Sequence, residues 1–377
     1  MADSTAKGAG WATAFSVASV WFGTHVGGGF ATGNQAIQYY VQYGWMASFL
    51  PMIAMGILAL VLKEAMTMAT TRNMYTYKEV FTELWAPYTK LEITMEIFNF
   101  VIILAAVGSA IAGAASLLTN YGIPYGIAVC IIGILLIFLV IFGVGLIIKA
   151  SAIMSIVILI ASFSMYFIAI ANHSSQIGAV LASGEAQVGM AVWKTLVYSG
   201  FQCVAVPSMI AASSILNAKG VKRASLLGWL MNGLALTVSC IMLLGWHSEV
   251  IAAEATTLPN LFVCNTLGIG VLSVCYQVSL FFAFISTCVT TIFTMVQKFE
   301  NKIFTNSISN LKVRRIIVAI IAILVCMCVS MVGLTNIIKY AYGYCGYLGL
   351  IVITVPMLTI GHKKNKEYIA AHPESLG

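Results

Sequence analysis

Apolar runs recur along the whole chain, separated by short polar connections. Ten of them reach the roughly 20 residues that an α-helix needs to cross a bilayer. They lie at 10–42, 45–66, 92–119, 124–144, 148–171, 189–217, 222–246, 267–296, 312–334 and 336–361. The pattern predicts an all-α integral membrane protein of ten transmembrane helices, a single membrane domain over 1–377 with no linker. Five runs fill 10–171, five fill 189–361, and 362–377 is left as a tail. The first run continues into further apolar sequence and has no small-residue cleavage site, so it reads as a retained span rather than a signal peptide.

The connections alternate in charge. Lys63, Arg72, Lys78 and Lys90 flank the second, Lys149 the fourth, and Lys219, Lys222 and Arg223 the sixth. Lys298, Lys302, Lys312, Arg314 and Arg315 fill the eighth, and Lys363, Lys364 and Lys366 follow the tenth run. The odd connections hold His173, Glu185, Glu249 and Glu254 instead. Basic even connections place both termini in the cytoplasm.

With 60% apolar and 8% charged residues, the composition agrees with the pattern. The net charge of +7 sits in the connections, which argues against nucleic acid as a partner. The nine cysteines lie almost entirely inside apolar runs without paired spacing, as packing thiols do. No catalytic cluster, phosphate loop or metal-ligand spacing is present, so an enzyme is not expected.

Two runs are interrupted where a span should be continuous. In the first, Gly23-Thr24-His25-Val26-Gly27-Gly28-Gly29-Phe30 falls near mid-bilayer. Glycine is a poor helix interior residue, and freed backbone groups are costly in lipid unless protein or a cavity shields them. The spacings Gly23/Gly27 and Gly29/Gly33 also fit small-residue helix packing, so both readings stand. In the sixth run, Ser199-Gly200 and Pro207 bracket a segment expected to unwind. Breaks at positions one and six of ten are what a five-plus-five inverted repeat with a midplane binding site would show, which points to transport.

The eighth run adds a polar face. Tyr276, Ser279, Ala283, Ser286, Thr287, Thr290 and Thr294 fall within about ±60° of one line on a helix. Such hydroxyls either bond back to their own helix or line a hydrated, ion-bearing path. Hard cations such as Na⁺ take hydroxyl and carbonyl oxygens.

These stretches resemble the amino acid–polyamine–organocation superfamily with its LeuT-type fold, and the resemblance covers the chain as architecture. Gly23-Thr24-His25-Val26-Gly27-Gly28-Gly29 resembles the first unwound segment of the neurotransmitter–sodium-symporter branch. Leu280-Phe281-Phe282-Ala283-Phe284-Ile285-Ser286-Thr287 resembles its eighth-helix sodium stretch. The resemblance implies that the backbone oxygens of Gly23, Val26 and Ala283 and the hydroxyls of Ser286 and Thr287 hold one Na⁺. A closer likeness is to YkvI-type bacterial membrane proteins, through Val26-Gly27-Gly28-Gly29-Phe30-Ala31-Thr32-Gly33-Asn34-Gln35. There Gln35 stands where the signature has an acid. A bacterial inner membrane is the implied location. Phe30 replaces the branch's asparagine at a second sodium site, which is therefore expected to be absent. The small residues Ala105 to Ser116 lack the tyrosine that meets substrate in that branch, leaving volume for a larger ligand.

Amides near Gly28 and Gly29 suit a carboxylate, and carbonyls near Tyr198, Ser199 and Gly200 suit an amine. Trp21, Thr24, His25, Phe201 and Gln202 are the remaining candidate lining residues; for each, ordinary packing is the competing reading, and for His25 a structural hydrogen bond. Tyr340, Tyr344 and Tyr347 share a face of the tenth run and suit an outer gate or an interfacial belt. Lys149 is either a coupling lysine or a snorkelling anchor. The expected function is Na⁺-coupled symport of a small polar solute, an amino acid, amine or betaine-like molecule, by alternating access, with Na⁺ as coupling ion and no organic cofactor or obligate protein partner. A ligand-sensing subunit of germinant-receptor type and a proton-coupled transporter working through His25 or Lys149 are the alternatives.

Overall fold

A computed structural model describes residues 10–25, 27–299, 308 and 310–376. Val26, Lys302 and the side chain of Lys149, all singled out in the sequence, lie outside the described residues. The first apolar run is three short helices, α1 (Trp11–His25), α2 (Gly28–Ala31) and α3 (Asn34–Tyr39). The second run is α4 (Leu50–Arg72), followed by an amphipathic α5 (Tyr77–Trp85). α5 starts at a capping box, in which Thr76 and Glu79 each bond the other's backbone N–H. Next come α6 (Ile93–Thr119), α7 (Tyr125–Phe138) and α8 (Val144–Asn172). α8 bends by 73° into the short α9 (Ser174–Ser183). The sixth run is α10 (Val188–Phe201) and α11 (Val206–Ala212), and the seventh is the long α12 (Ala218–Ala252). α13 (Pro259–Thr266) precedes α14 (Gly270–Phe299) and α15 (Leu311–Ser330). The chain ends in α16 (Leu334–Asn336), α17 (Tyr342–Gly349) and α18 (His362–Ala371), joined by π-helical turns.

Among the described residues, eight helical stretches are long and apolar enough to cross a membrane by themselves. They match the expected runs two, three, four and six to ten. Run one fails this test because its glycines cut it into short pieces.

Three boundaries differ from the sequence reading. No coil separates runs four and five; a π-turn at Leu139–Gly143 joins them. α12 has 35 residues, about 52 Å of helix, and so is longer than the roughly 30 Å of hydrocarbon it would cross. The expected tail is not free: α18 packs on α4 and the end of α5, where Arg72 donates to Asn365 Oδ1 (2.9 Å) and the Lys364 carbonyl (3.0 Å).

Two groups of helices carry the core. α1, α4, α10 and α12 pack together; α6, α7, α8, α14 and α15 form the second group, and α17 lies against α6 and α10. The contacts recur when the halves are exchanged: α1 with α12 corresponds to α4 with α10, and α8 with α14 corresponds to α17 with α6. α2 lies against α6 and α14 of the second group.

Candidate functional site

The glycine triplet decides the geometry of the first span. α1 stops at His25, and the N–H groups of Phe30 and Ala31 both return to the Gly27 carbonyl (3.1 and 3.2 Å). A second interruption follows at Gly33, whose φ of +79° is left-handed and leaves no room for a side chain beside Asn260. The carbonyls released here are taken up by neighbours. Ala31 O accepts from Tyr276 Oη and from Asn260 Nδ2 (3.1 Å), and Thr32 O accepts from the Asn260 backbone N–H (3.0 Å). Non-helical backbone persists at this depth because protein satisfies it.

Two features adjoin this segment. The first is a buried polar cluster between α1, α3, α10 and α12. The two ring nitrogens of His25 meet Asn232 Oδ1 (Nδ1, 2.8 Å) and Tyr198 Oη (Nε2, 2.9 Å). Asn232 Nδ2 donates to Gly228 O (2.7 Å), which turns its Oδ1 toward the ring, so Nδ1 of His25 carries a proton. Tyr198 Oη also accepts from Gln202 Nε2 (3.1 Å) and lies 3.2 Å from Gln35 Oε1. All five side chains are buried. Aromatic rings surround them: Phe30 against His25 (centroids 4.9 Å apart), with Tyr39, Tyr40 and Phe201 against Tyr198.

The second feature is a cavity of about 90 Å³ between α1, α8 and α14. Gly23, Gly27, Ser279, Ala283, Ser286 and Thr287 supply its small and polar wall. The Ser279 hydroxyl is buried with no hydrogen-bond partner among the described residues. A Cβ on Gly27 would lie 3.7 Å from Thr287 Oγ1, and a Cβ on Gly23 would meet nothing within 4 Å. The glycines thus keep this wall open.

The structure sorts the candidates. Gly23, Ala283, Ser286 and Thr287, expected to share an ion, do line one cavity. His25, Tyr198 and Gln202 form one cluster, with Phe201 in its aromatic wall. Thr24 does not belong to it: the side chain is exposed and donates to Val20 O (2.9 Å). Trp21 packs against Gly228, and Ser199 bonds to Leu196 O in its own helix (2.7 Å). Gly28 and Gly29 begin α2, but Gly29 is closed over by Gln35, whose amide sits 2.4 Å from where its Cβ would be.

The segment bracketed by Ser199-Gly200 and Pro207 departs from α-helix without opening into coil. Ser199 and Gly200 are helical, and a four-residue 3₁₀ turn, Gln202–Ala205, links α10 to α11 with Pro207 in the first turn of α11. Gly200 serves packing: its backbone meets Gly346 of α17, and Gly349 meets Gly200 O. The free volume expected beside Ala105 to Ser116 is filled from outside the helix. Phe284 lies against Gly113 and Val329 against Gly108, while Tyr342 and Ser109 share a hydrogen bond (3.2 Å). On run ten Tyr340 and Tyr344 face outward, Tyr347 stacks on Trp193, and the inward ring is Tyr342. The lower hydroxyl stripe bonds to its own helix, Thr287 to Ala283 O, Thr290 to Ser286 O and Thr294 to Thr290 O (2.7–2.9 Å).

Sequence reasoning missed Asn232 and Asn260. Asn232 is a lone amide in an apolar run, and that rarity is the signal that marks it; Asn260 lies in the connection between runs seven and eight, with Asn265 close by, where nothing in the sequence sets it apart.

No protein-family model matches the chain, and no curated protein matches it. Solved structures do. The manganese transporter of Eremococcus coleocola, solved with an aromatic bis-isothiourea compound, is 15% identical over 97% of this chain and 93% of its own, with a TM-score of 0.55. MhsT in complex with L-phenylalanine is 13% identical over 96% of this chain and 98% of its own, TM-score 0.60. The inward-facing form of Mhp1 is 15% identical over 92% of this chain and 75% of its own, TM-score 0.56. The chain is a multi-pass integral membrane protein of the LeuT-type fold.

Proposed function

We propose that this chain is a secondary active transporter of a small polar solute, working by alternating access through ten spans arranged as two inverted halves, with the first and sixth discontinuous. The observation that carries this reading is the pairing of a buried polar cluster with an adjoining oxygen-lined cavity at the break of the first span. The helices that meet at the cluster, α1, α10 and α12, belong to one packing group, and the cavity lies where that group meets the other. Rocking one group on the other would open the cavity, and the face of the cluster beside it, alternately to the two sides.

The cavity fits Na⁺ by its donor set. Ser279, Ser286, Thr287 and the Ala283 carbonyl offer oxygen only, the unpartnered Ser279 hydroxyl is the kind of buried group a cation would satisfy, and Thr287 keeps lone pairs free while donating to Ala283 O. Bound Na⁺ would supply the coupling charge. The central cluster presents an imidazole, a phenol and three amides without a carboxylate, which suits an amino acid, amine or betaine-like solute better than a divalent cation. The basic connections support a cytoplasmic location of both termini in a bacterial inner membrane, and the Val26–Gln35 stretch supports placement with YkvI-type proteins.

The test is uptake of labelled amino acids and betaines into proteoliposomes under an inward Na⁺ gradient. Accumulation that needs Na⁺ and falls at least tenfold in Ser286→Ala/Thr287→Ala is expected. Saturable binding with no flux under any gradient would refute transport.

One observation favours proton coupling as a second reading. With neutral His25, the single phenolic proton of Tyr198 faces two acceptors, His25 Nε2 and Gln35 Oε1. A proton on Nε2 gives every bond a donor. Uptake that follows a pH gradient, survives loss of the serine–threonine pair and disappears in His25→Gln is its signature.

A further inference from the structure

We propose that a pocket on the basic face, formed by α4, α12 and α18, binds a phosphate-bearing anion. The cavity measures about 460 Å³ and is lined by Lys63, Lys219, Lys222, His362 and Lys366 around Glu64. Glu64 is the acidic residue of the pocket, and both its oxygens are engaged. Oε1 meets Lys63 Nζ and His362 Nδ1, each at 3.1 Å, and Oε2 accepts from Asn365 Nδ2 at 2.9 Å. The Asn365 amide also donates to the Glu64 carbonyl (2.9 Å) and its oxygen accepts from Arg72 (2.9 Å), so this floor is fixed.

That leaves Lys219, Lys222 and Lys366 with no acidic partner among the described residues, all three turned into one cavity. They come from two elements that the sequence separates by about 140 residues, so their meeting is a product of the fold. Lys219 and Lys222 occupy the first turns of a 35-residue helix, whose dipole adds positive potential at that end. Like charges gathered this way repel unless an anion completes them, and lysine is a point-charge binder of phosphate oxygens. Ala218 and Ile369 add an apolar wall on which the body of a phospholipid can rest. Basic pockets between spanning helices bind anionic headgroups in this manner. A phospholipid headgroup and free phosphate share this chemistry.

The full-length protein in nanodiscs tests the assignment. The probes are phosphatidylglycerol at one-fifth of a phosphatidylcholine bilayer, scored by native mass spectrometry, and inorganic phosphate against chloride at equal ionic strength, scored by thermal shift. Each lysine near such a surface contributes about fivefold, so Lys219→Gln/Lys222→Gln/Lys366→Gln should weaken retention about a hundredfold. Lys90→Gln/Lys312→Gln/Lys363→Gln removes three charges from the same face outside the pocket and should leave it within about threefold. Lipid retained and lost in the first triple assigns a headgroup; a phosphate-specific shift lost in that triple assigns the free anion. No retained anion with either probe, or equal losses in both triples, overturns the proposal. If the first triple does not fold, the single Lys366→Gln variant should still lose about fivefold, and an unchanged value there overturns it too.

Discussion

Replacing Gly200 with alanine separates two uses of a glycine in the sixth span, unwinding and packing. An ideal Cβ at Gly200 lies 2.2 Å from the Gly346 carbonyl oxygen and 3.0 Å from Leu350 Cγ. The contact is reciprocal: a Cβ at Gly346 would lie 2.4 Å from Val197 O, and one at Gly349 2.1 Å from Gly200 O. The nearest obstructing atom is backbone each time, so no rotamer change relieves it. α10 and α17 must part by roughly 1 Å to restore an ordinary carbon–oxygen contact of about 3.3 Å. Overpacking of this kind costs about 1–3 kcal/mol, against a helix-propensity gain of about 1 kcal/mol for Gly→Ala. The net is a loss of up to about 2 kcal/mol, a few degrees in unfolding temperature. Gly178, inside α9 with nothing within 4 Å of its Cβ, is the control, and Gly178→Ala should be neutral or stabilising. Thermal unfolding in nanodiscs by tryptophan fluorescence, at one scan rate because unfolding of such proteins is irreversible, reads the difference. Gly200→Ala at or above wild type, alongside Gly178→Ala, would refute the packing role.

Three further outcomes follow from the same geometry. Gly33→Ala combines a left-handed φ of +79° with a Cβ 2.3 Å from Asn260 Oδ1, whereas Gly122→Ala meets a similar φ of +81° in open space; the first should lower unfolding temperature clearly more than the second, which carries only the backbone cost of about 1–2 kcal/mol. Asn232→Leu removes the acceptor from His25 Nδ1 and should cost about 1–3 kcal/mol in unfolding assays, with solute binding weakened in parallel; unchanged binding would separate the cluster from the cargo site. At the foot of α14, burial lowers the Lys298 pKa, but hydrogen bonds and charge from Glu96 and Tyr77 outweigh it and hold the ammonium above its ordinary value. A raised lysine pKa contributes stability in full below the unfolded value near 10.4 and loses it as pH climbs through the folded value. Unfolding temperature should therefore show no pH dependence from this group between pH 6 and 9, where its contribution is complete, and a fall above about pH 10 that Glu96→Gln abolishes.

Much of the architecture was legible in the chain. Long apolar runs must become helices in lipid because backbone groups there have no other partner, and the triplet Gly27-Gly28-Gly29 announced where one of them stops. The eighth run's small and hydroxyl positions told which face meets that stop, since helix geometry alone puts Ser279, Ala283 and Ser286 in one line. Gly200 could not be read the same way. A glycine that frees backbone and a glycine that admits a neighbouring backbone look identical in one dimension, and only Gly346, almost 150 residues away, distinguishes them.

The sequence by itself determined that the chain lives in a membrane, where most of its apolar helices run and that glycines interrupt the first run, because those follow from local transfer energies and helix propensity. Tertiary structure alone decided what closes around the break. Asn232 and Tyr198 meet His25 from two other helices and Gln35 meets Tyr198 from a third, and Phe284 and Tyr342 fill the space beside α6. Lys366 reaches Lys219 and Lys222 only after α18 docks on α4. Such contacts depend on how helices are placed relative to one another, and in a bilayer, where every outward face is equally apolar, hydrophobicity carries no record of which helix meets which.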